Sequence, residues 1–155
     1  MHKLFVAVLV FCVVSSAIAQ GSDAAVQTAT TILSPAQLKH LRSAPVQLLP
    51  APGGGNVLNL VSIVGQYKSG SSVYSLGDGG YFTVALGTER VASLTSAGFI
   101  DKPVSQVQFN GASAVGTESD MENQPLMIFN NGSGEWAEGD GSVVVTVYYT
   151  IVGLQ

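Results

Sequence analysis

The run Ser142 to Val152, S-V-V-V-T-V-Y-Y-T-I-V, constrains this chain more than any other stretch, because almost every residue in it is β-branched or aromatic. Such residues lose side-chain freedom in a helix and fit a pleated surface. A strand is therefore dictated here. Its alternation places Val143, Val145, Val147, Tyr149 and Ile151 on one face. Val144, Thr146, Tyr148, Thr150 and Val152 take the other, and its mixed character makes Val144, Tyr148 and Val152 a candidate contact patch with a neighbouring subunit.

Ala44 to Tyr67 reads as two strands of a sandwich core joined by a tight corner. Val46 to Leu49 is a short strand, Pro50-Ala51-Pro52-Gly53-Gly54-Gly55 a corner, and Val57 to Val64 an apolar segment on both parities. Two prolines fix the approach and three glycines accept the turn. The glycine run lacks a following Lys-Ser/Thr and leads into a strand, so it does not read as a phosphate-binding loop. Apolar residues on both parities predict a strand covered on both faces.

Further strands are expected at Val26 to Leu33, Val73 to Leu76, Tyr81 to Leu86, Val104 to Phe109 and Pro125 to Phe129, separated by Gly-rich turns. Ser34-Pro35-Ala36-Gln37 is a helix start, with Ser34 at the N-cap and Gln37 placed to complete a capping box. A second short helix is read over Thr88 to Gly98, with Val91 and Leu94 inward. Gly111 to Asn123 reads as a long polar loop. The sum is an all-β, antiparallel β-sandwich of jelly-roll type with one or two short helices.

At the amino end, Met1-His2-Lys3 leads into the apolar run Leu4 to Val14 and then Ser15-Ser16-Ala17-Ile18-Ala19. This is the pattern of a secretory signal peptide cleaved after Ala19. The run is about half the ~20 residues that a membrane-spanning helix needs, so no span is expected in the mature form. Residues 20–25 read as a flexible leader and 26–155 as one domain. Cys12 is the only cysteine and lies in the signal segment, which leaves no disulfide or thiol chemistry in the mature chain.

Without Lys3, five basic side chains face ten acidic ones, a net charge of −5. Nucleic acid and anionic membranes demand clustered Lys and Arg, so neither is an expected partner. Catalysis is not expected either: His40 is the one histidine of the mature chain, and no G-x-S-x-G turn accompanies it. Zinc ligands are too few. Calcium has only weak candidates, Glu118, Asp120 and Glu122, none in a spaced cation-binding loop. No cofactor is implied.

Two functions remain. One is a secreted structural subunit that associates with itself or with another structural protein. The other is a carbohydrate-binding, lectin-like module, in which Trp136, the single tryptophan, serves as a stacking platform beside Asn130, Asn131 and Asp140. The competing reading of Trp136 is a cap folded over the sandwich end. Asn131-Gly132-Ser133 is also an N-glycosylation acceptor triplet.

Leu33-Ser34-Pro35-Ala36-Gln37-Leu38 through Leu41, followed by Pro45-Val46-Gln47-Leu48-Leu49-Pro50-Ala51-Pro52-Gly53, is similar to a pattern in small structural proteins of tailed bacteriophages. Asn123-Gln124-Pro125-Leu126 and Asp140-Gly141-Ser142 to Val152 resemble the end of that pattern. The resemblance covers most of residues 32 to 152. It implies an all-β virion component without catalysis, packed against its own copies or a capsid or tail partner. Here the pattern follows a secretory lead, which implies such a module within an exported protein.

Overall fold

A computed structural model of the chain describes residues 25–113 and 116–155. The expected signal peptide and residues 20–24 of the leader lie outside the described residues. Ten strands and two short helices follow in order: β1 (Gln27–Leu33), α1 (Pro35–Lys39), β2 (Val46–Leu49), β3 (Asn56–Lys68), β4 (Tyr74–Ser75), β5 (Tyr81–Leu86), β6 (Glu89–Thr95), β7 (Gln106–Gly111), α2 (Glu118–Met121), β8 (Leu126–Asn130), β9 (Ala137–Glu138) and β10 (Ser142–Gly153).

Eight strands form two four-stranded antiparallel sheets, ordered β1-β10-β3-β7 and β2-β8-β5-β6, while β4 and β9 make a small ribbon. The chain crosses repeatedly between the two sheets, and this strand order is that of a jelly roll. Side chains of alternate parity from both sheets meet between them, among them Ile63, Val143, Val145 and Val147 from one side and Phe82, Val84, Leu94 and Ile128 from the other. Gly65 leaves room for the facing sheet: a Cβ there would lie 2.6 Å from Leu94 Cδ1.

The long β10–β3 pairing shifts register between Tyr148 and Tyr149 of β10, where Val61 of β3 has no partner. This bulge explains the apolar parities of β3. Leu58 and Leu60 face the core before it, Ile63 and Tyr67 after it, and Val61 is 44% exposed. The two-faced pattern thus records a change of phase at a bulge, not a strand covered on both sides.

The short helix α1 forms as its cap dictates. Gln37 N donates to Ser34 Oγ at 3.3 Å, and Ser34 N donates to Gln37 Oε1 at 3.0 Å. Leu38 and Leu41 are buried over the sandwich end. The corner after β2 is held from elsewhere in the chain: Gly53 N donates to Asn123 Oδ1 at 2.9 Å and Gly55 N to Glu122 Oε1 at 2.6 Å. Both glycines have positive φ.

Two expectations are corrected. Thr88 to Gly98 is not a helix but mainly strand β6, paired with β5 from Tyr81↔Thr95 to Leu86↔Glu89. Gly87, at φ 55°, makes a tight hairpin turn there, and Val91, Ala92 and Leu94 are buried in the sheet. The segment read as a long polar loop contains the one-turn helix α2, with its Glu122 amide donating to Glu118 O.

The two long sides of the sandwich differ. Where β6 runs beside β7, three successive outward positions of β6 are occupied: Val91 O accepts from Ser113 N, Ser93 O from Asn110 Nδ2, and Thr95 exchanges two bonds with the Gln108 amide. On the opposite side β1 runs beside β2, and among the described residues no hydrogen bond joins them.

Candidate functional site

The four residues expected to form a ligand site hold loops in place. Trp136 is 1% exposed, its indole Nε1 donates to Gly79 O at 3.1 Å, and its ring centroid lies 4.6 Å from that of Phe82. Burial of the ring leaves no face for a sugar to stack on, so the stacking platform is corrected to an end cap. Asn130 is also 1% exposed, with Nδ2 donating to Gly134 O and Oδ1 accepting from Gly132 N. Its neighbour Asn131 is exposed, and its Oδ1 accepts from Tyr81 N at 2.7 Å.

Asp140 serves a different loop. Its carboxylate accepts from Ser71 Oγ at 2.5 Å and Ser72 N at 2.8 Å. These bonds, the Ser71 hydroxyl foremost, favour the charged form and bring the carboxyl down to about 2. Asp78 is lowered in the same way by the hydroxyl and backbone N–H of Ser133.

An open cleft of about 670 Å³ does lie at this end, lined by Arg42, Ser43, Phe129, Asn130, Asn131 and Ser133 to Glu135. It includes Asn130 and Asn131 but neither Trp136 nor Asp140. Glu135 accepts from the backbone N–H groups of Arg42 at 3.0 Å and Ser43 at 2.8 Å, and Arg42 Nη1 donates to Gly132 O. Burial pushes the Glu135 carboxyl up, but the bonds from Ser43 and Arg42 outweigh it and the group lies below its ordinary value.

The calcium candidates are dispersed in role. Asp120 Oδ2 accepts from Thr117 Oγ1 at 2.5 Å, Glu122 is tied to the Gly55 corner, and Glu118 lies in α2. Among the described residues no group of three or more His, Cys, Asp or Glu side chains is placed to hold a metal ion. No helix among them is long and apolar enough to cross a membrane. His40 is the exposed C-cap of α1.

The surface that stands out is the outer face of the β1-β10-β3-β7 sheet. Register defines three rows across it: Ile32, Val144, Gln66, Val107; Thr30, Thr146, Val64, Phe109; and Thr28, Tyr148, Ser62, Gly111. None of these positions carries a charge. Phe109 is 77% exposed, Ile32 63%, Val107 52% and Tyr148 36%, with Val152 beyond the rows at 43%. Together with Val61 they expose on the order of 600 Å² of apolar side chain, the upper end of what monomers carry.

Of the contact patch expected on the last strand, Tyr148 and Val152 are exposed and Val144 is partly so. The larger contributions, Phe109, Ile32 and Val107, come from β7 and β1. Strand pairing alone brings them alongside β10, and their alternation in Gln106–Gly111 was the signal available in the sequence. No protein-family model matches the chain, and no curated protein matches it significantly.

Proposed function

We propose that this chain is an exported, non-catalytic structural subunit that works by packing the outer face of its β1-β10-β3-β7 sheet against another subunit. The observation that carries the reading is that face: three uncharged rows whose largest apolar side chains, Phe109 and Ile32, are mostly in solvent. Together with the threonines between them, these side chains approach the ~800 Å² per partner that a stable interface buries. Export is supported by the basic lead, apolar run and small-residue site of residues 1–19. The resemblance to small virion proteins points the same way, and the jelly roll is a fold shared by capsid and lectin domains. Light scattering and chemical crosslinking over a concentration series test it: the reading requires association, and a strict monomer with no subunit partner in its native setting removes it.

A carbohydrate-binding reading retains one observation, the open cleft beside Asn131 and Glu135 with Phe129 in its wall. In that reading the site moves away from Trp136. A glycan array run with and without chelator decides it, and absence of binding in both conditions eliminates it.

A further inference from the structure

A sheet edge exposes a row of unpaired N–H and C=O groups, and proteins block such edges with prolines, charges, bulges or covering groups. Among the described residues, the β6 and β2 edges of this sandwich are treated in that way. Along β6 the outward groups of Val91, Ser93 and Thr95 are taken by the Ser113 amide and the Asn110 and Gln108 side chains, the last two from β7. Strand β2 is four residues long, lies between Pro45 and Pro50, and slips register against β8 between Gln47 and Leu49.

Strand β1 has none of these devices. It is seven residues, Q-T-A-T-T-I-L, without proline, glycine or charge. Its register with β10 is unbroken from Gln27↔Tyr149 to Leu33↔Val143, so no bulge interrupts its edge. Among the described residues it pairs with β10 alone.

We infer that the free edge of β1 is a strand-pairing site for β1 of a second copy, joining two molecules about a two-fold axis into one eight-stranded sheet. Antiparallel pairing of identical strands about their centre, Thr30, overlaps all seven residues and sets no charge against a like charge. Cross-strand threonines already bond on this face, with Thr30 Oγ1 and Thr146 Oγ1 3.1 Å apart. The joined sheet doubles the uncharged outer face to a width of about 38 Å, at ~4.8 Å per strand. Seven paired residues bury less than the ~1,200 Å² typical of stable complexes, so the contact is concentration-dependent.

This inference rests on the assembly reading above, and residue-resolved amide hydrogen exchange separates the two. In dilute protein the alternate amides of Gln27–Leu33 that face away from β10 exchange freely, and in associated protein they slow at least tenfold. A Thr30→Cys variant in a Cys12→Ser background then forms a disulfide-linked dimer under mild oxidation, whereas Ser133→Cys does not. Association that leaves those amides open, or that protects β7 with β1 in a head-to-tail contact, overturns the β1–β1 pairing while leaving assembly standing. Protection already present in dilute monomer shows the chain's own leader on the edge and likewise overturns it. Absence of association at any concentration and with any subunit removes both.

Discussion

The side-chain amide of Gln108 bonds to Thr95 as a neighbouring strand would: Thr95 N donates to Gln108 Oε1 at 3.0 Å, and Gln108 Nε2 donates to Thr95 O at 3.1 Å. An amide side chain carries the same donor and acceptor as a peptide group, so it can satisfy an edge without extending the sheet. This is how the β6 edge is closed. Replacing Gln108 with Ala is expected to cost about 1–2 kcal/mol, the worth of two neutral hydrogen bonds. Urea denaturation measures the loss, and faster exchange of the Thr95 amide locates it.

Trp136 is the single tryptophan and is buried, so its fluorescence reports the fold directly. Trp136→Ala leaves a large void against Phe82 and is expected to destabilise the domain by about 3–5 kcal/mol. Trp136→Phe retains much of the packing but leaves the Gly79 carbonyl unpaired, for a loss of about 1–3 kcal/mol. The two denaturation curves should rank in that order.

Gly139 has φ 53°, and a Cβ on it would lie 2.4 Å from Tyr74 Cγ. Gly139→Ala combines an unfavourable backbone with a ring clash and is expected to cost about 2–3 kcal/mol. Gly111, at the end of β7, has open space around it. Gly111→Ala should stay within about 0.5 kcal/mol of wild type. Thermal melts of the pair test whether the glycines differ as their surroundings do.

The carboxyls of Asp140, Asp78 and Glu135 all lie below their ordinary values in the folded chain, Asp140 at about 2. A depressed folded value stabilises the native state above the unfolded pKa and ceases to do so as pH falls through the folded one. Stability should therefore hold above about pH 5 and decline toward pH 2. Burial raises the Tyr67 and Tyr74 hydroxyls, and for them the sign reverses, with stability falling as pH rises above about 10. Urea midpoints across pH measure both limbs, and Asp140→Asn should flatten the acid one.

Much of this architecture is legible from local chemistry. The β-branched alternation of β10 fixes its two faces, and the Ser34/Gln37 pair fixes the start of α1, because both are short-range effects. What escapes is long-range. Thr88 to Gly98 reads as a short helix until the β5–β6 hairpin is seen. Val61 looks like part of a two-faced strand until its pairing with β10 slips. Trp136 in a Gly-rich loop looks like a platform, and only the return of the chain over Phe82 makes it a cap. Similarly, the exposed face is half visible in Tyr148 and Val152, but Ile32 and Phe109 join it through pairing that spans the chain.

Sedimentation velocity of wild type beside a Val107→Lys/Phe109→Lys variant tests most directly whether the outer face of the β1-β10-β3-β7 sheet mediates assembly. Both side chains are more than half exposed, so two lysines there should leave the thermal melt unchanged. Wild-type protein is predicted to sediment progressively faster as concentration rises, while the variant remains monomeric over the same range. Equal concentration dependence in the two proteins, or a wild type that sediments as a monomer throughout and binds no other subunit, would contradict assembly through this face.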